Sequence, residues 1–315
     1  MKTALLFPGQ GSQFLGMGKE FIERYPECAA TMELAEKTCG MKLQSICSDG
    51  PMEELTRGAV LQPAITATNI ICYQALQHEA GNDLQIDCLA GHSLGEYSAL
   101  CASGVISAED ALRLVSKRGT LMEREGRANP GGMRAIVGLD INTIESIIDS
   151  YDGPGVVTAA NHNTPVQVVI SGSIEALDNI TPLAEGKGAK VIPLNVSVAN
   201  HSPLVAGAVP DFTDFLATIP FNSPGIPVYF NVSSTTEQEP AQIKEMMAKQ
   251  IISKVRWCEI ILTMIAQGVD TFIEVGPKPV LKGMMRKIAP KGTKVTSLQF
   301  DTPDSLDKCL EKIRS

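Results

Sequence analysis

Short apolar runs recur along the chain, and most are separated by stretches whose apolar residues fall at helical spacing. Thr3–Phe7 is the first run, and it stops at Pro8-Gly9. Similar runs stand at Cys88–Ala90, Val228–Val232, Thr271–Val275 and Lys294–Leu298. Short runs of this kind read as strands buried on both faces of a parallel sheet. Between them, Leu61–Ala80 is apolar at 65, 70, 71, 72, 75 and 76, a helical stripe. Strands alternating with helices predict right-handed βαβ units and a mostly parallel sheet, hence an α/β fold.

The rhythm changes between about Arg127 and Ala199. Met133–Leu139 reads as a strand and Asn142–Ser150 as a helix. Val156–Ala160 and Val166–Ser171 read as strands joined through Asn161-His162-Asn163-Thr164-Pro165. Ile174–Gly188 reads as a helix and Lys190–Val196 as a fourth strand. The order βαββαβ is that of a ferredoxin-like, split-βαβ unit, with Pro130-Gly131-Gly132 at its entrance. The expected organisation is a discontinuous large α/β domain, 1–126 with 200–315, and an inserted small subdomain, 127–199.

Composition narrows the function classes. The 315 residues are 44% hydrophobic and 20% charged, an ordinary globular balance that excludes a disordered chain. With 27 Lys+Arg against 35 Asp+Glu, the net charge of −8 argues against broad nucleic-acid or anionic-membrane binding. No segment approaches the ~20 apolar residues of a membrane span, and the first run is too short for a signal-peptide core. Eight cysteines are scattered without a Cys-x-x-Cys pair, and the four histidines share no ligand spacing with them. A disulfide framework and a zinc site are therefore not expected, and a cytoplasmic location is.

The sharpest local signal is Gly91-His92-Ser93-Leu94-Gly95, between the apolar run at Cys88–Ala90 and the helix-compatible stretch Glu96–Ala102. Strand, tight glycine turn and helix form the context of a nucleophile elbow, with Ser93 exposed at the turn. The Leu94 amide, at the helix start, can point at a developing oxyanion. Five letters alone are a weak pattern, and a glycine-bounded turn is the plain alternative. A serine nucleophile needs a base. His78 reads as a solvated helix-end residue, and His92 lies too close in sequence to Ser93. His162 and His201 remain. His201 precedes Ser202-Pro203-Leu204 at a strand-to-helix junction, which favours it over His162.

Arg118 raises a separate question. The helix after Ser107 carries Ala111, Leu114, Val115 and Met122 on one stripe, and Arg118 sits in that stripe. Arg113, Lys117 and Arg124 fall on other faces. A core-facing guanidinium needs a partner; a structural ion pair is the commoner solution, and a ligand carboxylate is the other. After the first run, the loop Phe7-Pro8-Gly9-Gln10-Gly11-Ser12-Gln13 lacks the third glycine of a dinucleotide motif, since position 14 is Phe. A loop lending backbone amides to a site fits it better.

Phe7-Pro8-Gly9-Gln10-Gly11-Ser12-Gln13, Gly91-His92-Ser93-Leu94-Gly95-Glu96, Lys117-Arg118-Gly119, His201-Ser202-Pro203-Leu204 and Glu274-Val275-Gly276-Pro277 stand in one order. In that order the chain resembles the malonyl-CoA:acyl carrier protein transacylases, over roughly residues 3 to 288. Acyltransferase domains of polyketide synthases are similar. The resemblance implies an α/β-hydrolase-like large domain with a ferredoxin-like insert. It implies Ser93 as nucleophile and His201 as base, with the Gln250 carbonyl, in a helix over Ala241–Ser253, holding the second imidazole nitrogen. It implies the Gln10 and Leu94 amides as oxyanion donors. Arg118 matches the arginine that pairs with the malonyl carboxylate, reversing the structural reading, and Gln62 lines the same pocket.

The implied substrates are malonyl-CoA and acyl carrier protein, the implied state is a monomer, and no cofactor is implied because the CoA thioester is itself a substrate. Asn200 departs from the pattern. Malonyl-loading relatives usually carry phenylalanine there and methylmalonyl-selective relatives a serine, so Asn200 leaves room for a larger α-substituent. Leu94 is typical of malonyl enzymes. A serine hydrolase using the same dyad and a silent carrier-binding scaffold are the competing readings. Consumption of malonyl-CoA without carrier would mark the first, and retained cellular function in Ser93→Ala the second. An acidic carrier predicts a basic patch at the site mouth, drawn from Lys117, Arg124, Lys187, Lys190, Lys282, Arg286 and Lys287.

Overall fold

A computed structural model describes residues 1–81, 83–196 and 198–314. Strand β1 (Thr3–Phe7) is followed by helices α1 (Lys19–Arg24), α2 (Pro26–Cys39), α3 (Leu43–Asp49), α4 (Met52–Thr56) and α5 (Gly58–Ala80). Strand β2 (Cys88–Gly91) turns into α6 (Gly95–Ala102), and α7 (Ala108–Ala128) leads out of the first half. Next come β3 (Gly132–Val137), α8 (Ile141–Asp149), β4 (Val157–Thr164), β5 (Gln167–Gly172), α9 (Ile174–Glu185) and β6 (Lys190–Pro193). The chain returns through a 3-10 turn at Pro203–Val205 to α10 (Ala208–Ala217), β7 (Val228–Tyr229), α11 (Pro240–Gln250) and α12 (Trp257–Ala266). It ends with β8 (Thr271–Val275), α13 (Val280–Ile288), β9 (Thr296–Phe300) and α14 (Pro303–Arg314).

Five strands form one parallel sheet in the order β7-β2-β1-β8-β9. Side-chain alternation along β1 divides the core in two. Leu5 and Phe7 pack with α5, α6 and α7, while Ala4 and Leu6 pack with Trp257, Ile261 and Met264 of α12. All five residues of β1 and of β8 are buried, the burial that a parallel sheet covered by helices on both faces requires.

Residues 132–193 form a second sheet, antiparallel, in the order β4-β5-β3-β6. One face of it packs Ile136, Val168 and Ile170 against Ile144 and Ile147 of α8 and Leu177 and Ile180 of α9. The other face carries only Met133, Ala135, Ala160 and Val169 as its buried apolar cluster, and it looks towards the parallel sheet's domain.

Several element limits differ from the sequence reading. Strand β4 continues through Asn161–Thr164, so His162 lies in a strand and the hairpin turn is only Pro165-Val166. Those polar residues hold strand geometry because they pair on two sides: His162 donates its amide to the Val255 carbonyl at 2.9 Å, and Val255 to Ala160 at 2.8 Å. Strand β7 has two residues rather than five, because the Asn231 amide turns away to Glu96. Strand β9 lies two residues later than Lys294–Leu298. The long helix starts at Gly58 and takes in Pro63. No helix among the described residues is long and apolar enough to cross a membrane.

Candidate active site

The parallel sheet delivers Ser93 on a turn that sterics leave almost no freedom. A Cβ on Gly91 would lie 2.0 Å from the Gly95 carbonyl carbon, and one on Gly95 would lie 2.0 Å from the Phe7 carbonyl oxygen. Only glycine at both ends lets β2 reverse into α6 against β1. Ser93 itself sits at φ 50°, the left-handed region that costs a non-glycine residue energy. Its amide donates to Asn231 Oδ1 at 2.7 Å, and its carbonyl accepts from Gln250 Nε2 at 2.8 Å. Asn231 also donates from Nδ2 to the Gly91 carbonyl at 2.7 Å, so one side chain spans the turn.

His201 follows the small sheet and is likewise left-handed, at φ 57°. Its Nε2 lies 2.7 Å from Ser93 Oγ, and its Nδ1 lies 3.0 Å from the Gln250 carbonyl oxygen. Gln250 is the last residue of α11, and its carbonyl, which also accepts the Ser253 amide at 3.2 Å, has a second lone pair for the imidazole. The Nδ1–H must then point at that carbonyl, which leaves the Nε2 lone pair facing the serine hydroxyl. Burial, then the charge of Arg118, lowers the imidazole's pKa to about 3, so it is neutral at pH 7. Among the described histidines, only His201 bonds Ser93. His92 Nε2 meets Asn163 Oδ1 at 2.8 Å. His162 Nδ1 lies 3.0 Å from Glu259, close but without hydrogen-bond alignment.

Arg118 projects from α7 and is 2% exposed. Its guanidinium donates to Gln62 Oε1 at 2.9 Å, to Ser93 Oγ at 3.2 Å and to Gln250 Oε1 at 3.2 Å. Every one of these acceptors is neutral, and no carboxylate among the described residues pairs with it directly. Burial lowers its pKa, and the fields of Tyr97 and Glu96 oppose that shift. A buried guanidinium without an anion is suited to take one up, because an unpaired charge in that setting is costly.

Gln10 follows Gly9, whose backbone packs on the elbow: a Cβ there would lie 2.5 Å from the His92 carbonyl oxygen. Leu94 immediately precedes α6. Neither the Gln10 nor the Leu94 amide donates to an acceptor among the described residues. Two free amides beside the serine suit an oxyanion.

Asn200 stands on the wall between two cavities, with Nδ2 3.5 Å from Gln10 Oε1. The smaller, about 150 Å³, contains Ser93 and His201 and is walled by Met133, Val169, Leu281 and Met284. The larger, about 400 Å³, reaches Gln62, Met122, Arg57 and Glu123 and does not touch the serine. The candidate nucleophile and base therefore line the smaller cavity, while Gln62 lines the larger one.

A family model described as an acyl transferase domain matches residues 4–300. The chain belongs to this acyl transferase family. It is 39% identical over 315 residues to the malonyl CoA-acyl carrier protein transacylase of Bacillus subtilis (strain 168), covering 99% of this chain and 98% of that one. An acyl carrier protein S-malonyltransferase structure from Vibrio cholerae superposes with a TM-score of 0.93 at 37% identity, covering 98% of this chain and 100% of the other. A malonyl-transacylase solved in complex with a type II PKS acyl-carrier protein superposes at 0.94 with 34% identity, covering 99% and 100%.

Sequence reasoning missed two members of this acyl transferase site and half of a third. Asn231 and Glu96 brace the elbow, and Gln250 acts through its side chain as well as its carbonyl. Glu96 stands within the motif and read only as the helix start. Of the basic candidates, Arg124 is taken by Asp211 and the Gly207 carbonyl, and Lys117 lies over the Phe215 ring. Lys282, Arg286 and Lys287 stand on α13, whose Val280, Leu281 and Met284 line the catalytic cavity.

Proposed function

We propose that the chain transfers the malonyl group of malonyl-CoA to the phosphopantetheine thiol of acyl carrier protein, through a malonyl ester on Ser93. The carrying observation is that one hydroxyl oxygen lies 2.7 Å from a neutral, correctly presented imidazole and 3.2 Å from a buried, anion-free guanidinium. Ser93 Oγ attacks the thioester carbonyl while its proton passes to His201 Nε2. The amides of Gln10 and Leu94 hold the oxyanion, each donor typically worth ~3 kcal/mol. The C–S bond then breaks, and the CoA thiolate takes the proton from His201. The carrier thiol runs the same steps in reverse: its proton goes to His201, its sulfur attacks the ester, and Ser93 recovers the proton as the C–O bond breaks. Arg118, supported by Gln62, pairs with the free carboxylate, and an acetyl group would leave it unpaired.

Every step is served by side chains and amides of this chain, so the proposed reaction takes no cofactor. The small sheet's βαββαβ order supports the ferredoxin-like description, and the β2–α6 elbow supports an α/β-hydrolase-like one, with 127–199 as the insert between 1–126 and 200–315. The proposed carrier-docking face is the basic end of α13 beside the cavity. Eight free cysteines fit a reducing cytoplasm, and a monomer is the proposed state.

Asn200 bears on donor choice: it partitions the two cavities with a side chain smaller than phenylalanine, which fits donors with a small α-substituent as well as malonyl. Intact-protein mass after brief exposure to malonyl-CoA, methylmalonyl-CoA or acetyl-CoA tests both points. A malonyl adduct on wild type, absent in Ser93→Ala, is expected. Release of CoA without adduct or carrier would favour hydrolysis and overturn the transfer reading.

A further inference from the structure

Glu96 is a fully buried carboxyl that the chemistry above does not use. It sits in the first turn of α6, three residues after the serine. One oxygen accepts the Asn231 amide at 2.6 Å, and the other accepts Gln250 Nε2 at 2.6 Å. Gln250 Nε2 also donates to the Ser93 carbonyl at 2.8 Å, and its Oε1 accepts from Arg118 at 3.2 Å. Both ends of this amide are therefore committed, and their assignment is forced. The Ser93 carbonyl can only accept and the Arg118 guanidinium can only donate, so the NH₂ end of Gln250 must face Ser93 and Glu96 and the oxygen must face Arg118.

We propose that Glu96 is a positioning residue for acid-substrate selectivity: through Gln250 it holds an acceptor against Arg118 and keeps that guanidinium aimed at the serine. When ionised, Glu96 also places a negative charge one amide away from Arg118. Direct pairing would occupy the guanidinium and shut out an incoming carboxylate. A counter-charge one amide removed steadies the cation and leaves it able to bind one. Burial pushes the Glu96 carboxyl up to about 7 against its hydrogen bonds and the field of Arg118. Filling a helix turn does not demand a group kept in that setting, since an apolar residue fills the same space without the desolvation.

Glu96→Gln tests this. The new amide cannot accept from both Asn231 and Gln250, so its own NH₂ confronts a donor. Gln250 loses its anchor there, and its hold on Arg118 loosens. Serine acylation is followed by intact mass with malonyl-CoA and with acetyl-CoA, and KM is determined for each. The KM for malonyl-CoA is expected to rise about tenfold or more, the scale of one hydrogen bond to a charged group. The malonyl-to-acetyl loading ratio is expected to fall by a similar factor. If both donors lose equally, or the ratio is unchanged, the proposal is overturned. Should Glu96→Gln melt before assay, Gln250→Met removes the bridge directly, and an unchanged ratio there overturns it as well. The proposal rests on Arg118 receiving the malonyl carboxylate, so Arg118→Ala is run beside it. An unchanged ratio in Arg118→Ala overturns that reading; a changed ratio there with none in Glu96→Gln overturns only the role of Glu96.

Discussion

The two sheets bury their strands differently and contribute differently to the site. The parallel sheet is covered by helices on both faces, and its strand ends present Ser93 on a strained turn tied by Asn231, Gln250 and Glu96. The antiparallel sheet packs one face on α8 and α9 and turns the other to the cavity, offering Met133 and Val169 as wall. Ser93 is held on a turn tied by side-chain hydrogen bonds on both sides. The facing wall of the cavity comes from a thinner layer with adaptable side chains.

The largest effect that sharpens this contrast is expected at the elbow. Gly95→Ala places a Cβ 2.0 Å from the Phe7 carbonyl oxygen, and backbone on both sides has nowhere to move. A loss of more than ~3 kcal/mol, or no folded protein, is expected in chemical denaturation. A stable, active Gly95→Ala would break the claim that the turn is sterically closed.

Next in size, Ser93→Ala and His201→Ala are each expected to lower malonyl loading by at least about a thousandfold while leaving the melting temperature within a few degrees. Equal losses in the single and double variants would show the two acting as a unit. A smaller expected effect lies on the opposite wall. Met133→Ala and Val169→Ala remove apolar surface from that wall of the cavity and leave Ser93 and His201 in place. KM for malonyl-CoA is expected to rise about three- to tenfold with kcat kept, on the scale of a few buried methylenes. A fall in kcat with KM unchanged would place the small wall in the chemistry and blur the division.

The sequence exposed some of this division and concealed the rest, for physical reasons. Strands β1 and β8 were legible because both faces are buried and the runs are unbroken. Glycines at 91 and 95 marked the turn because no other residue fits there. Strand β4 ran past its apolar part: Asn161–Thr164 is polar, and only pairing with Val255 from the other layer makes it strand. Ser93, His201 and Arg118 stood out by motif, junction and an anomalous charge in an apolar stripe. The bracing set of Asn231, Glu96 and the Gln250 side chain has no periodicity to betray it. Its members come from β2–α6, the end of β7 and the end of α11, and only the fold brings them together.

The smallest expected effect concerns acid. An imidazole titrating at its ordinary value near 6.5 would lose about tenfold of its neutral form between pH 7.5 and 5.5. In His201, burial and the charge of Arg118 lower the pKa to about 3, so the neutral base persists throughout that window. The single-turnover acylation rate at saturating malonyl-CoA is therefore expected to change less than about twofold from pH 7.5 to 5.5. Stability responds in the opposite sense. Below about 6.5 the unfolded chain binds a proton at this residue that the folded chain refuses until about 3, so its contribution to stability shrinks as pH falls through that range. Rates must accordingly be taken per folded molecule. Glu96, raised to about 7, takes up its proton in the same window, and its effect is expected in KM rather than in the saturated rate. A saturated rate that falls tenfold with a midpoint near 6.5 would mean that the dyad is far more open to water than its burial implies, and the contrast between a closed catalytic layer and an open binding layer would fail at its centre.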